Sequence, residues 1–175
     1  MHDKTRNILF VGLFIALEVI LTRFTSVETL TVRISFEFVA IAISAIIFGP
    51  VTAGTAAAIA DILGMMIFPK GPYFPGFTLS AFISGFLYGV VLYKKKITIA
   101  RSFFAALAVI VITSLILNTI WLVFMYKNAA FADLGARLIK CVVFLPIQTV
   151  MIYLTWKYAG TAISRAISPN NRVSQ

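Results

Sequence analysis

The sequence predicts an all-α, polytopic membrane protein: a compact bundle of six transmembrane helices with short loops, one domain over residues 1–175. Three observations lead there. Apolar residues make up 61% of the 175 and charged residues only 12%, with a mean hydropathy of +0.99, whereas a soluble domain is about half apolar and one quarter charged. So few charges cannot furnish a polar shell, and the apolar excess must face lipid. At roughly 20 residues per span, a chain of this length has room for about six spans.

The first span is placed at 7–24. Lys4-Thr5-Arg6 ahead of the apolar run from Ile8 to Leu21 has the look of a signal peptide. Arg23-Phe24-Thr25 follows instead of a small-x-small cleavage site, so the segment reads as a retained helix. A second helix is expected over 32–48, ending at Gly49-Pro50. That pair also starts the third helix, 51–68, because proline cannot continue a helix but fits its first turn. Phe68-Pro69-Lys70-Gly71-Pro72-Tyr73-Phe74-Pro75-Gly76 is rich in helix breakers and reads as a loop. The fourth helix, 76–93, runs into Lys94-Lys95-Lys96, and the fifth and sixth occupy 101–126 and 134–160. The tail at Ser168-Pro169-Asn170-Asn171 is polar and expected to fray. No internal repeat is visible, so an inverted-repeat transporter architecture has no support.

The net charge is +9, from 15 Lys and Arg against 6 Asp and Glu. Nucleic-acid binding is excluded as its cause, because the cations lie between apolar runs and not on a soluble basic module. They act as topological charge. One side of a six-span bundle carries Lys4, Arg6, Lys94, Lys95, Lys96, Arg101, Lys157, Arg165 and Arg172; the other carries Arg23, Arg33, Lys70, Lys127, Arg137 and Lys140. The bias places both termini and the triple lysine in the cytoplasm. Cys141 is the one cysteine, so no internal disulfide forms, and the single histidine, His2, is expected to be exposed and inert. There is no metal cluster and no catalytic nucleophile–base pair. Small residues recur four apart at Gly12 and Ala16, at Gly54 and Ala58, and at Ala81, Gly85 and Gly89. Such stripes let helix backbones approach within a bundle; for Gly12 and Ala16, docking of another membrane subunit is the alternative.

Ionisable and amide groups inside spans are costly and mark function by default. At 1.5 Å per residue, Glu18 and Glu37 fall about 7 Å, Lys140 about 9 Å, Asp61 about 10 Å and Asn118 about 12 Å from the outer helix ends. Five helices thus place polar groups in one layer of the outer half, which suggests a polar cavity open to the outside. The competing explanation is a set of bundle-holding hydrogen bonds and ion pairs, such as Arg33 with Glu37 at i, i+4. Tyr73, Phe74 and Phe77, with Phe68 at the loop's start and Trp121 one turn outward of Asn118, add aromatic faces suited to a flat heterocycle. They also fit an interfacial belt. Arg23, Arg33, Lys70, Arg137 and Lys140 suit ligand carboxylates or simple snorkelling to the interface.

Ala60-Asp61-Ile62-Leu63-Gly64, followed by Pro69 to Gly76 and Phe77-Thr78-Leu79-Ser80-Ala81, resembles the substrate-binding S components of energy-coupling factor (ECF) transporters, and within them the folate-specific branch. Arg33-Ile34-Ser35-Phe36 and the Phe48-Gly49-Pro50 turn are similar too. The resemblance implies a subunit of the bacterial plasma membrane that captures folate with high affinity on the extracellular side. It implies association with one transmembrane coupling subunit and two ATPase subunits, docked through an Ala-x-x-x-Ala motif whose positions here are Gly12 and Ala16. With no Walker A loop in the chain, ATP is a cofactor of the partners alone. In this reading Asp61 takes two hydrogen bonds from a pterin edge and Tyr73, Phe74, Phe77 and Trp121 stack on rings. Glu37 and Asn118 line the pocket, and Arg33, Lys70, Arg137 or Lys140 receives the carboxylates. The alternatives are an S component for pyridoxine or hydroxymethylpyrimidine, a self-contained channel or porter, and a membrane enzyme.

Overall fold

The computed structural model describes residues 2–24, 26–28, 33–69, 72–126, 134–160 and 163. Helix α1 runs His2–Phe24, α2 Glu37–Phe48, α3 Pro50–Ile67, α4 Pro75–Leu92 and α5 Ile99–Val109. A π-helical segment, Ile110–Leu117, carries α5 into α6, Asn118–Tyr126, and α7 spans Leu134–Thr155 before a second π-helical segment, Trp156–Gly160. Among the described residues, five helical spans are long and apolar enough to cross a membrane, and α2 is a shorter sixth. Their outer faces are bare hydrocarbon: Ile8, Leu9, Met66, Phe124 and Val142 are each more than two-thirds exposed. Water does not tolerate such a surface, and lipid demands it.

Most of the expected boundaries agree to within two residues. Two starts do not: the first helix begins at His2, not 7, and the second is shorter than expected. It begins at Glu37, not 32, because Arg33–Ile34 pairs antiparallel with Val27–Glu28 in a two-residue ladder. The β-branched run Val27, Thr29, Thr31, Val32, Ile34 favours extended backbone over helix. Arg33 therefore does not sit one helical turn before Glu37, and the i, i+4 geometry expected for that pair does not exist. The remaining 12-residue α2 is about 18 Å long, short of the roughly 30 Å hydrocarbon layer. It is the most enclosed helix, with Phe38 and every residue from Ala40 to Ile46 buried, packed against α1, α3, α4 and α7.

Glycine lets α3 and α4 approach. A Cβ added at Gly85 would stand 2.6 Å from the Ala53 carbonyl oxygen, and one at Gly89 would stand 2.2 Å from Pro50 Cα. From the facing side, a Cβ on Gly54 would lie 2.9 Å from the Phe82 carbonyl oxygen. With no hydrophobic force between helices in lipid, this backbone proximity and its dispersion energy hold the seam. The start of α3, the end of α4 and α2 then share a core of Phe38, Ile41, Ala45, Ala53, Tyr88 and Leu92.

In the long span, the Thr113 hydroxyl donates back to the Val109 carbonyl, and the Asn118 N–H bonds to the Thr113 carbonyl, five residues back. A π-helical stretch of this kind rotates every following side chain relative to an uninterrupted α-helix and recurs at functional sites. It sets where Asn118 and Trp121 point.

Candidate ligand-binding site

The polar and aromatic candidates collect at the end of the bundle where α3 finishes and α4 begins. Pro75 occupies the first turn of α4, and Phe74 before it is extended (φ −131°, ψ 122°). Extended backbone sends successive side chains to opposite sides, so Tyr73 and Phe74 diverge onto two flanks of the α4 N-terminus.

On the α3 flank, the Thr78 hydroxyl donates to Asp61 Oδ2 at 2.8 Å, and the Tyr73 hydroxyl lies 3.1 Å from Thr78 Oγ1. Thr78 has one proton and spends it on Asp61, so Tyr73 is the donor in the second bond. The chain Tyr73–Thr78–Asp61 fixes the carboxylate by a charge-assisted hydrogen bond, a type stabilising by about 1.5–3 kcal/mol. One turn further along α3, the missing Cβ of Gly64 seats the Arg23 guanidinium of α1: a Cβ there would be 2.7 Å from Arg23 Nε.

On the other flank, the Trp121 indole N–H donates to Ser80 Oγ at 3.0 Å. The Phe74 ring lies against the indole with centroids 5.7 Å apart and meets Phe77 edge-on at 6.1 Å. Gly76 is the floor beneath them, since a Cβ would come within 2.4 Å of Phe74 and 2.5 Å of Trp121. Asn118, one turn before Trp121, has its Oδ1 buried and without a hydrogen-bond partner among the described residues.

Three further predicted residues have contacts of their own. Glu37, at the first turn of α2, accepts a hydrogen bond from the Thr22 hydroxyl of α1. Glu18, one turn before Thr22, is 1% exposed and belongs to the interior of the bundle. Lys140 of α7 is half-buried, with Nζ 5.9 Å from the Phe144 ring centre. Lys70 lies outside the described residues, as do the side chains of Arg33 and Arg137.

The expected single layer thus resolves into separate contacts. Thr78 and Ser80 are two residues apart on α4, about 200° around its axis, so Asp61 and Trp121 reach that helix from different flanks. Equal depth on five helices does not place five side chains in one chamber. The connectors that sequence reasoning passed over are Thr78, Ser80, Thr22 and Gly76. Hydroxyls in the first turns of an otherwise apolar helix were the available signal for two of them. Deeper in the bundle the contacts join neutral groups: Ser84 with Thr113 at 3.2 Å and Tyr88 with Gln148 at 3.4 Å.

Gly12 and Ala16 are both exposed, and a Cβ added at Gly12 would meet nothing within 4 Å. None of the described residues packs a helix against them.

The fold defines a class: a multi-pass membrane protein, with Asp61 and its hydroxyl partners at the α3–α4 end of the bundle. A family model described as "ECF-type riboflavin transporter, S component" matches residues 2–165. The chain belongs to that family, the S components of ECF-type transporters. It is 43% identical over 154 residues to the folate transporter FolT of Clostridium novyi (strain NT), covering 88% of this chain and 90% of the relative. It is 35% identical to the FolT of Leuconostoc mesenteroides subsp. mesenteroides over 155 residues, covering 85% and 83%. A solved structure described as the crystal structure of FolT bound with folic acid superposes with a TM-score of 0.82 at 44% identity, over 87% of this chain and 93% of that one. These relatives are transporter subunits, not enzymes.

Proposed function

We propose that this chain is the folate-binding S component of an ECF uptake transporter, holding its ligand at the α3–α4 end of the bundle. One observation carries the reading beside the two FolT relatives. A carboxylate positioned by Thr78 and Tyr73 and an aromatic platform of Phe74, Phe77 and Trp121 flank the same helix N-terminus. A carboxylate has about four lone-pair sites, so accepting from Thr78 does not by itself bar Asp61 from the adjacent N–H donors of a pterin edge. Flat rings suit the aromatic flank. Between them, the N-terminal end of α4 carries partial positive charge that favours an anionic group. Lys140, Arg33, Lys70 and Arg137 supply the candidate partners for the ligand's carboxylates. Glu37 and Asn118 complete the proposed lining.

In this reading the ligand is captured outside a bacterial plasma membrane, with both termini and Lys94–Lys96 in the cytoplasm. Labelling of single cysteines placed at Tyr73 and at Lys95 checks the orientation: only the first reacts with an impermeant reagent in intact cells. The coupling subunit docks on the exposed Gly12 and Ala16 of α1, and ATP is hydrolysed by two ATPase subunits, not by this chain.

The test is direct titration of purified protein with folate, with riboflavin, pyridoxine and hydroxymethylpyrimidine as competitors. Folate is expected to bind and the others to fail to displace it. Asp61→Ala should weaken folate by roughly tenfold to a hundredfold, the worth of one charge-assisted hydrogen bond. Unchanged affinity removes Asp61 from the site. Riboflavin binding with no folate binding overturns the ligand assignment and favours the compound named in the family description.

A further inference from the structure

At the end of the bundle opposite the candidate ligand site, a groove of about 510 Å³ opens between α1 and the α2–α3 turn. Its walls are mainly apolar, from Ile8, Val11 and Ile15 of α1 and Ile47 and Phe48 of α2. Its floor is open at Gly12, where no described group outside the local helix backbone lies within 4 Å of the Cβ position. Tyr93, just past α4, closes one side. The tyrosine is held in place from below: Gly49, at φ +89°, has no Cβ, and the Tyr93 ring lies 3.3 Å from where one would be. Above the ring sits Lys94 Nζ, 5.2 Å from its centre, on a residue with φ +53°. Lys95 and Lys96 follow, and all three lysines are exposed.

We propose that this groove binds one anionic phospholipid, an acyl chain lying along Ile8–Ile15 and the headgroup phosphate on Lys94–Lys96. The charge complementarity is specific to this place. An apolar slot at the membrane boundary ends at a ring that carries a cation on its outer face, and two more cations adjoin it in sequence. An ammonium over an aromatic ring keeps donors for phosphate oxygens. Clustered lysines beside a membrane favour anionic lipid by about fivefold per residue. A zwitterionic lipid would satisfy the apolar slot and leave the cations unmatched. A lipid seated here covers Gly12, so it must leave before any helix can dock on that residue.

The experiment reconstitutes the full chain in bilayers of equal phosphatidylglycerol and phosphatidylcholine with matched acyl chains, transfers it to mild detergent, and counts retained lipids by native mass spectrometry. Phosphatidylglycerol should be retained over phosphatidylcholine by at least about fivefold, and 0.5 M salt in the wash should shrink that preference. Lys94→Gln, Lys95→Gln and Lys96→Gln together should abolish the preference, and Gly12→Phe should remove the retained lipid, both variants eluting as the wild type does. Equal retention of the two lipids by the wild type overturns the proposal, as does a preference that survives the triple substitution or that the salt wash leaves undiminished. If neither lipid is retained, the groove is a protein-docking face and the proposal is wrong.

Discussion

On α3 and α4 the small residues stand where two helices touch, whereas on α1 the same four-residue spacing faces outward. A Cβ at Gly89 would be 2.2 Å from Pro50 Cα, but one at Gly12 would meet nothing within 4 Å. Ala16 is exposed, while Gly54, Gly85 and Gly89 are buried. The two stripes are chemically alike, so the difference lies in what faces them. A small-residue stripe reports that a backbone can approach closely, not that the approaching helix belongs to the same chain. Inside the bundle the stripe is satisfied; on α1 it is left open, beside the apolar groove.

Substitution separates the two cases, and the largest effect is expected at the seam. Gly89→Ala forces a methyl group into the Pro50 backbone, which cannot yield like a side chain. Overpacking of that kind costs about 1–3 kcal/mol or more, so the thermal midpoint in detergent should fall by roughly 5–10 °C. A midpoint within a degree of wild type would mean that the seam is looser than its geometry states. Gly76→Ala tests an intermediate case, because its neighbours are the rings of Phe74 and Trp121 and not backbone. The rings can rotate, so stability should change little while folate affinity falls by about tenfold through displacement of the platform. Tryptophan emission read against temperature measures the first, and read against folate concentration the second. Gly12→Leu should be smallest in its effect on the fold, moving the midpoint by less than about 2 °C, yet it should sharply reduce co-purification with the coupling subunit. A large loss of stability at Gly12 would place that stripe inside the bundle after all.

Asp61 and Glu18 were equally legible as carboxylates in apolar spans, and they came to different fates. Asp61 reaches a hydroxyl pair at the bundle end; Glu18 is enclosed at 1% exposure. Rise per residue gives depth along an axis but not the direction in which a side chain points. Direction depends on helix rotation, and in the α5–α6 span the π-helical segment before Asn118 resets that rotation. Arg33 shows the same limit from another cause. Its helical pairing with Glu37 assumed a helix from 32, and the β-branched run before it prefers an extended ladder.

The amino-acid sequence alone determined the solvent in which this protein folds, the positions of its helix breaks and the residue types available for a ligand. Those follow from composition, from Gly49-Pro50 and the Pro-rich loop, and from the few polar groups set in apolar runs. Only the tertiary structure decided which groups meet. Thr78 orients Asp61, Ser80 holds Trp121, and Gly76 admits both aromatic rings. The physical reason is that hydropathy and breaker residues act locally along the chain, whereas hydrogen-bond partners and close contacts depend on how helices rotate against neighbours distant in sequence.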